Sequence, residues 1–247
     1  MAETLTALLT AELAFGALFS LLGGIVHGFT GFGGGLLLVP SLAFFFGPVE
    51  GLAVAVIAGI VGSLQLFPGA VRHADWSEVV PVGLFIFLGT PAGVFFLFTL
   101  DPDLVRRAMG GFVIVAALLM VSGWTYTGPR GALAGAGVGG LCGLVTGATG
   151  AGASLIGLYF LSSPQPAEIQ RANLIFSAAI LVAAVLVFIG LGGGLGWETL
   201  ARGIAITPFY IVGTVGGGRL FRRAPSVYFR RGALALLIIT GLSALIA

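Results

Sequence analysis

The chain has 247 residues, 58% of them hydrophobic and 8% charged, with a mean hydropathy of +1.13. A soluble domain carries about 25% charged residues, so this chain cannot cover itself with a water-facing surface and reads as an integral membrane protein. Its net charge of +2 comes from arginines in short loops, where membrane-orientation signals belong, which argues against nucleic-acid binding. The single cysteine, Cys142, excludes an intramolecular disulfide and a cysteine metal cluster, and no metal or cofactor is expected.

The first apolar stretch runs from Leu5 to Phe46. No basic n-region precedes it, so it is taken as membrane structure rather than a cleaved leader. One span needs about 20 residues, so the stretch must be two elements. They meet at His27-Gly28-Phe29-Thr30-Gly31-Phe32-Gly33-Gly34-Gly35, because each glycine weakens a helix interior by roughly 1 kcal/mol relative to alanine. Helices are predicted next at Val49–Pro68, Val79–Phe98 and Leu104–Trp124. Polar loops between them hold Arg72, His73, Asp75 and Glu78, then Asp101, Asp103, Arg106 and Arg107. Thr127-Gly128-Pro129-Arg130 reads as a turn and as the boundary between halves. Residues Gly131–Leu161 would measure about 46 Å as one straight helix, too long for one span of a core about 30 Å thick and too short for two. Two half-helices meeting near mid-membrane fit that length. Helices at Glu168–Leu191, Trp197–Gly218 and Val227–Ala247 complete the chain.

The second half repeats the first. Gly28, Thr30, Gly31 and Gly33 map onto Gly147, Thr149, Gly150 and Gly152 at one offset, and Pro48-Val49-Glu50 matches Pro166-Ala167-Glu168. Trp76-Ser77-Glu78 resembles Trp197-Glu198-Thr199, and Arg106-Arg107 matches Arg230-Arg231. The expectation is an all-α polytopic membrane protein, one transport domain over residues 1–247, built from repeat 1 (5–124) and repeat 2 (131–247). Re-entrant breaks would invert the halves and gather Arg72, Arg130, Arg171 and the arginines from Arg219 to Arg231 on one face. Breaks that cross would make the halves parallel. Either way the arginine-rich loop before the last helix is cytoplasmic and both termini lie outside.

The segment Gly31-Phe32-Gly33-Gly34-Gly35-Leu36-Leu37-Leu38-Val39-Pro40-Ser41-Leu42 is similar to the G-x-G-G-G-x4-P-x-L pattern of the sulfite exporter TauE/SafE family, also called the toluene-sulfonate uptake permeases. The resemblance covers essentially the whole chain. It implies a carrier of sulfite, sulfonates or related organosulfur anions in the bacterial inner membrane.

Paired breaks in two matching halves point to a binding site between repeats. Backbone N–H groups freed at a half-helix N-terminus, with the helix dipole behind them, suit an anion. Candidate ligands are His27, Gly28, Thr30, Gly31, Gly33, Gly34 and Gly35 from the first break and Thr149, Gly150, Gly152 and Ser154 from the second, with Gln65, Arg171 and Asn173 beside them. The competing reading of the glycines is close helix packing. His27 can carry charge or a proton, or simply bond a carbonyl. Tyr210 reads as a packing hydroxyl, and Trp76, Trp124 and Trp197 as interface anchors. No Asp or Glu falls mid-span, so the carboxylate relays of proton-coupled carriers are missing. Three classes remain in view: an alternating-access carrier, an anion channel using the same amides as a filter, and an intramembrane hydrolase built on Ser154 and His27. The last lacks a G-x-S-x-G elbow, and no catalytic residue is assigned. Expected partners are a small organosulfur or sulfite anion and membrane lipid, with a homodimer allowed and no nucleic acid.

Overall fold

The computed structural model describes residues 11–30 and 33–221, and the residues described are helical apart from short turns. The helices are α1 (Ala11–Thr30), α2 (Gly34–Phe46), α3 (Pro48–His73), α4 (Trp76–Thr99), α5 (Pro102–Ser122), α6 (Ala132–Thr149), α7 (Ala153–Leu161), α8 (Ala167–Leu191) and α9 (Trp197–Phe221). The helix expected at Val227–Ala247, and Arg222, Arg223, Arg230 and Arg231, lie outside the described residues. Five helices, α1, α4, α6, α8 and α9, are long and apolar enough to cross a membrane. The chain is a polytopic all-helical membrane protein. Helix α3 runs five residues past its expected end because Pro68 sits inside it; membrane bundles tolerate such a proline when neighbouring groups satisfy the freed carbonyl.

Both glycine motifs are helical hairpins. Along α1 and α2 the partners run in opposite senses: Phe15 stacks on Phe45 at 5.7 Å between ring centroids, Gly23 faces Leu38, and His27 faces Gly34. The chain turns through Gly33, whose φ of 83° is left-handed and suits only glycine at little cost. Helix α6 ends on Gly150, also left-handed at φ 73°, whose N–H donates to the Thr146 carbonyl at 2.8 Å. Helix α7 then folds back, with Gly152 against Thr146 and Cys142, and with the Tyr159 carbonyl accepting from Arg130 at 2.8 Å. The two tips meet: Gly35 faces the Gly150 carbonyl, and Ala151 packs with Leu36 and Leu37. Each break thus turns the chain back on itself within the bundle rather than letting it run straight on.

The helix directions follow from the remaining contacts. Helices α3 and α8 run antiparallel, with Phe67 on Phe176 at one end and Val49 near Gly194 at the other. Helix α4 runs parallel to α6, and α9 parallel to α1. The hairpins accordingly enter from opposite ends of the bundle. Arg72, Arg130, Arg171 and Arg219 lie towards one end, and Arg106, Arg107 and Arg202 towards the other.

The two most extensive interfaces, α4 on α6 and α1 on α9, share one device. Gly93 meets Gly147, Gly89 meets Gly140, and Gly139 and Gly143 lie on the Val82 and Ile86 carbonyls of α4; Gly24 meets Gly213, Gly28 lies on Thr214 and Gly217 on Ile25. A Cβ on any of these glycines except Gly140 would overlap backbone of the opposite helix. Spacing of four puts each set on one helix face, and such small-residue stripes let helices pack closely where lipid removes the hydrophobic drive for association. At Ser20 the stripe carries a hydroxyl instead, which donates to the Ile206 carbonyl at 3.1 Å.

Candidate functional site

The hairpin tips border a cavity of about 50 Å³, room for roughly three to five waters at ~10–15 Å³ each. Helix α1 contributes His27, and the start of α2 contributes Gly33, Gly35 and Val39. Helix α3 supplies Ala55, Gly59 and Ser63. From the second half come Thr146, Gly150 and Ala153 around the other tip, then Ala178, Leu181 and Val182 of α8 and Tyr210 of α9. No Asp, Glu, Lys or Arg is among the described lining residues.

The site's polarity comes from two sources. Gly33, Gly35 and Ala153 belong to the N-terminal turns of α2 and α7, where helix geometry leaves the first amides without intrahelical acceptors and the dipole is positive. The second source is His27 and Ser63, which are 6% and 1% exposed. His27 Nε2 and Ser63 Oγ have no hydrogen-bond partner among the described residues, a costly state for buried polar atoms unless a ligand or water completes them. The His27 ring packs against Tyr210, 5.8 Å between centroids. Thr146 is different: its hydroxyl donates to the Cys142 carbonyl at 2.7 Å, so its proton is committed.

Of the residues singled out from sequence, His27, Gly33, Gly35 and Gly150 line the cavity. Gly28 sits in the α1–α9 stripe against Thr214, Gly34 packs against Gly23 and His27, and Gly152 packs against Thr146. The Thr149 hydroxyl donates to its own helix at Val145 (2.8 Å), and that of Ser154 to Ala151 (2.8 Å). Asn173 is fully buried and holds a turn: its Oδ1 accepts the Asp75 N–H at 2.8 Å, while Gln165 Nε2 donates to Asp75 Oδ2 at 2.6 Å. Arg171 lies beside it in the first turns of α8. Gly31 and the side chains of Thr30 and Gln65 lie outside the described residues. Sequence reading missed Ser63 and the placement of Tyr210. A lone serine in the apolar middle of α3 was the available signal, since an intramembrane polar group points to function by default.

A family model described as sulfite exporter TauE/SafE matches residues 16–244. The chain belongs to this family. No curated protein and no solved structure matches it. TauE/SafE membership and the five span-length helices together make this a multi-pass protein of a membrane transporter family. The first glycine break therefore has two structural duties: Gly28 and Gly34 pack helices, whereas Gly33 and Gly35 open onto the cavity.

Proposed function

We propose that the chain is a secondary carrier that exports sulfite and related small sulfur anions by alternating access around the cavity between the hairpin tips. The observation that carries this reading is a small cavity at the meeting point of two half-helix N-termini, lined by two buried and unpartnered polar groups. Amides and dipoles at such termini bind anions without a buried lysine. His27 and Ser63 add side-chain hydrogen bonds that also satisfy their own orphan atoms.

The halves act as inverted repeats of a single transport domain over residues 1–247. Each half lends a helix to the other's hairpin, α4 to α6 and α9 to α1, so rocking one set against the other moves the hairpins past each other around a fixed site. Arginine asymmetry places the end holding Arg72, Arg130, Arg171 and Arg219 in the cytoplasm of a bacterial inner membrane, with both termini outside. An anion leaving a cell that is negative inside gains about 2.3 kcal/mol per charge per 100 mV. The described lining holds no carboxylate, and in this reading export runs on the potential without obligatory ion coupling.

The protein is not an enzyme in this reading. The Ser154 hydroxyl is bonded to Ala151, and Ser63 Oγ and His27 Nε2 are not bonded to one another, so neither serine forms a dyad with histidine. Counterflow of labelled sulfite in proteoliposomes tests the carrier. A Cβ at Gly35 would lie 3.7 Å from the Gly150 carbonyl and 4.0 Å from Val39, ordinary contact distances, so a side chain can start there, and Gly35→Leu extends it into the cavity. Counterflow should disappear in Gly35→Leu and persist in Gly140→Ala, which faces open space. Saturable counterflow surviving Gly35→Leu refutes the reading, and current without counterflow assigns a channel instead.

A further inference from the structure

The two halves line the cavity with opposite chemistry at matched positions. Aligning Pro48 with Pro166 sets Ser63 of α3 opposite Leu181 of α8 in the register, and the alignment of the glycine breaks sets His27 opposite Thr146. Ser63 and His27 each present an unpartnered buried polar atom. Leu181 can donate nothing, and the Thr146 proton is already given to Cys142. The α8 lining is Ala178, Leu181 and Val182, hydrocarbon throughout.

We infer that the cavity selects its anion by requiring one vertex without oxygen: His27, Ser63 and the amides of the hairpin tips hold the oxygens, and the α8 wall takes the remaining vertex. This rests on the reading of the cavity as the transport site. A tetrahedral anion with four oxygens, such as sulfate, must turn one of them towards Ala178, Leu181 and Val182. There it exchanges its water for C–H groups, and an unpaired buried acceptor is penalised far more than a contact of the right shape is rewarded. An anion whose fourth vertex is a methyl group loses no such bond, and one whose fourth vertex is a lone pair or a terminal sulfur, a weaker and more polarisable acceptor than oxygen, loses less. A site built this way rejects the over-oxygenated analogue by what it leaves unpaired, the logic by which polar sites discriminate strongly.

The test uses the full chain in detergent and three probes: sulfite, thiosulfate and sulfate. Thiosulfate and sulfate are both tetrahedral dianions and differ at one vertex, which separates the effect from net charge. Wild type should bind thiosulfate at least about tenfold more tightly than sulfate, the cost of roughly one unmade hydrogen bond. Leu181→Asn and Leu181→Gln each put an amide donor on the wall and should bring the two affinities within about threefold, chiefly by sulfate gaining. A threonine would not serve, because the helical threonines Thr146 and Thr149 give their protons to the carbonyl four residues back; Leu181→Gln is closer to leucine in length and serves if Leu181→Asn misfolds. Ser63→Ala should weaken all three probes together by about five- to tenfold and leave their ratio unchanged. Equal wild-type affinity for thiosulfate and sulfate, or a ratio unmoved in the folded α8 variants, overturns the selectivity. The Gly35→Leu result, and with it the transport reading, then still stands. Failure of wild type to bind any of the three overturns both.

Discussion

Gly28 and Gly35 stand seven positions apart in one motif, yet alanine should do opposite things at each. A Cβ on Gly28 would overlap the Thr214 carbonyl, with the Thr214 Cα only 2.9 Å away. Relieving that overlap means moving α1 from α9 by roughly 1 Å and loosening the glycine stripe. Overpacking of this kind costs typically 1–3 kcal/mol, offset by up to ~1 kcal/mol of helix propensity gained by alanine. The net loss is about 1–2 kcal/mol, roughly a five- to thirtyfold shift towards the unfolded state. At Gly35 the nearest atoms to a new Cβ are at 3.7 and 4.0 Å, ordinary contact distances. Alanine there is neutral or slightly stabilising, but its methyl enters the cavity of about 50 Å³ proposed as the substrate site. Thermal unfolding in detergent, followed by the fluorescence of Trp76, Trp124 and Trp197, should therefore show Gly28→Ala melting early and Gly35→Ala melting with wild type. Sulfite binding by the folded fraction should be preserved in the first and weakened in the second. The reversed pattern, a Gly28→Ala protein of native stability that no longer binds, would show that the assignment of the two glycines is wrong.

Two further outcomes follow from hydrogen bonds at the second break and at the α3–α4 turn. Thr149→Val should leave sulfite affinity within about twofold of wild type, because the hydroxyl it removes donates to Val145 rather than into the cavity; a tenfold loss in a titration would place that hydroxyl on the ligand. The Ser77 hydroxyl bonded to Asp75, followed by the Gln165 amide, holds the Asp75 carboxyl below its ordinary range. The folded state thus binds this proton less readily than the unfolded state. The stabilisation is complete above the ordinary carboxylate range, roughly pH 4, and fades as pH falls through the lowered folded value. Melting temperature against pH should show this as an acid limb that is shallower in Asp75→Asn; identical limbs in both proteins would exclude the contribution.

What was legible in the sequence was whatever breaks a helix or repeats. The glycine runs located both breaks, and the length of Gly131–Leu161 already demanded one, although it falls after a span-length α6 of 18 residues and before a 9-residue α7 rather than between two half-helices. The order of elements in one half predicted the order in the other. What was not legible depended on which helices meet across the bundle. The stripe Gly139, Gly143, Gly147 looks like any glycine-rich span until α4 is placed against it. Gly28 belongs to the same class of contact, although its neighbours in the motif face the cavity. Thr149 and Ser154 carry hydroxyls that suit an anion; each donates to a carbonyl three or four residues back, a commitment that only coordinates reveal. Asn173 is a candidate by sequence, and its Oδ1 contact with Asp75 depends on how α8 sits beside the α3–α4 turn. Ser63 is the converse case, ordinary in sequence and conspicuous only once its neighbours offer it no partner.

The exchange of helices between halves also sets a timetable for assembly. Ser20 and Ile206, bonded across the α1–α9 interface, are 186 positions apart. At synthesis rates of ~5–20 residues per second, α1 waits roughly ten to forty seconds in the membrane before α9 exists to close over its glycine stripe. Helix α6 has no such wait, since α4 precedes it in the chain. The hairpin made first is thus the last to be secured, and a chain that stops before α9 leaves α1 without the face it was built to meet. A first half made on its own thus lacks the helix that covers the glycine stripe of its hairpin.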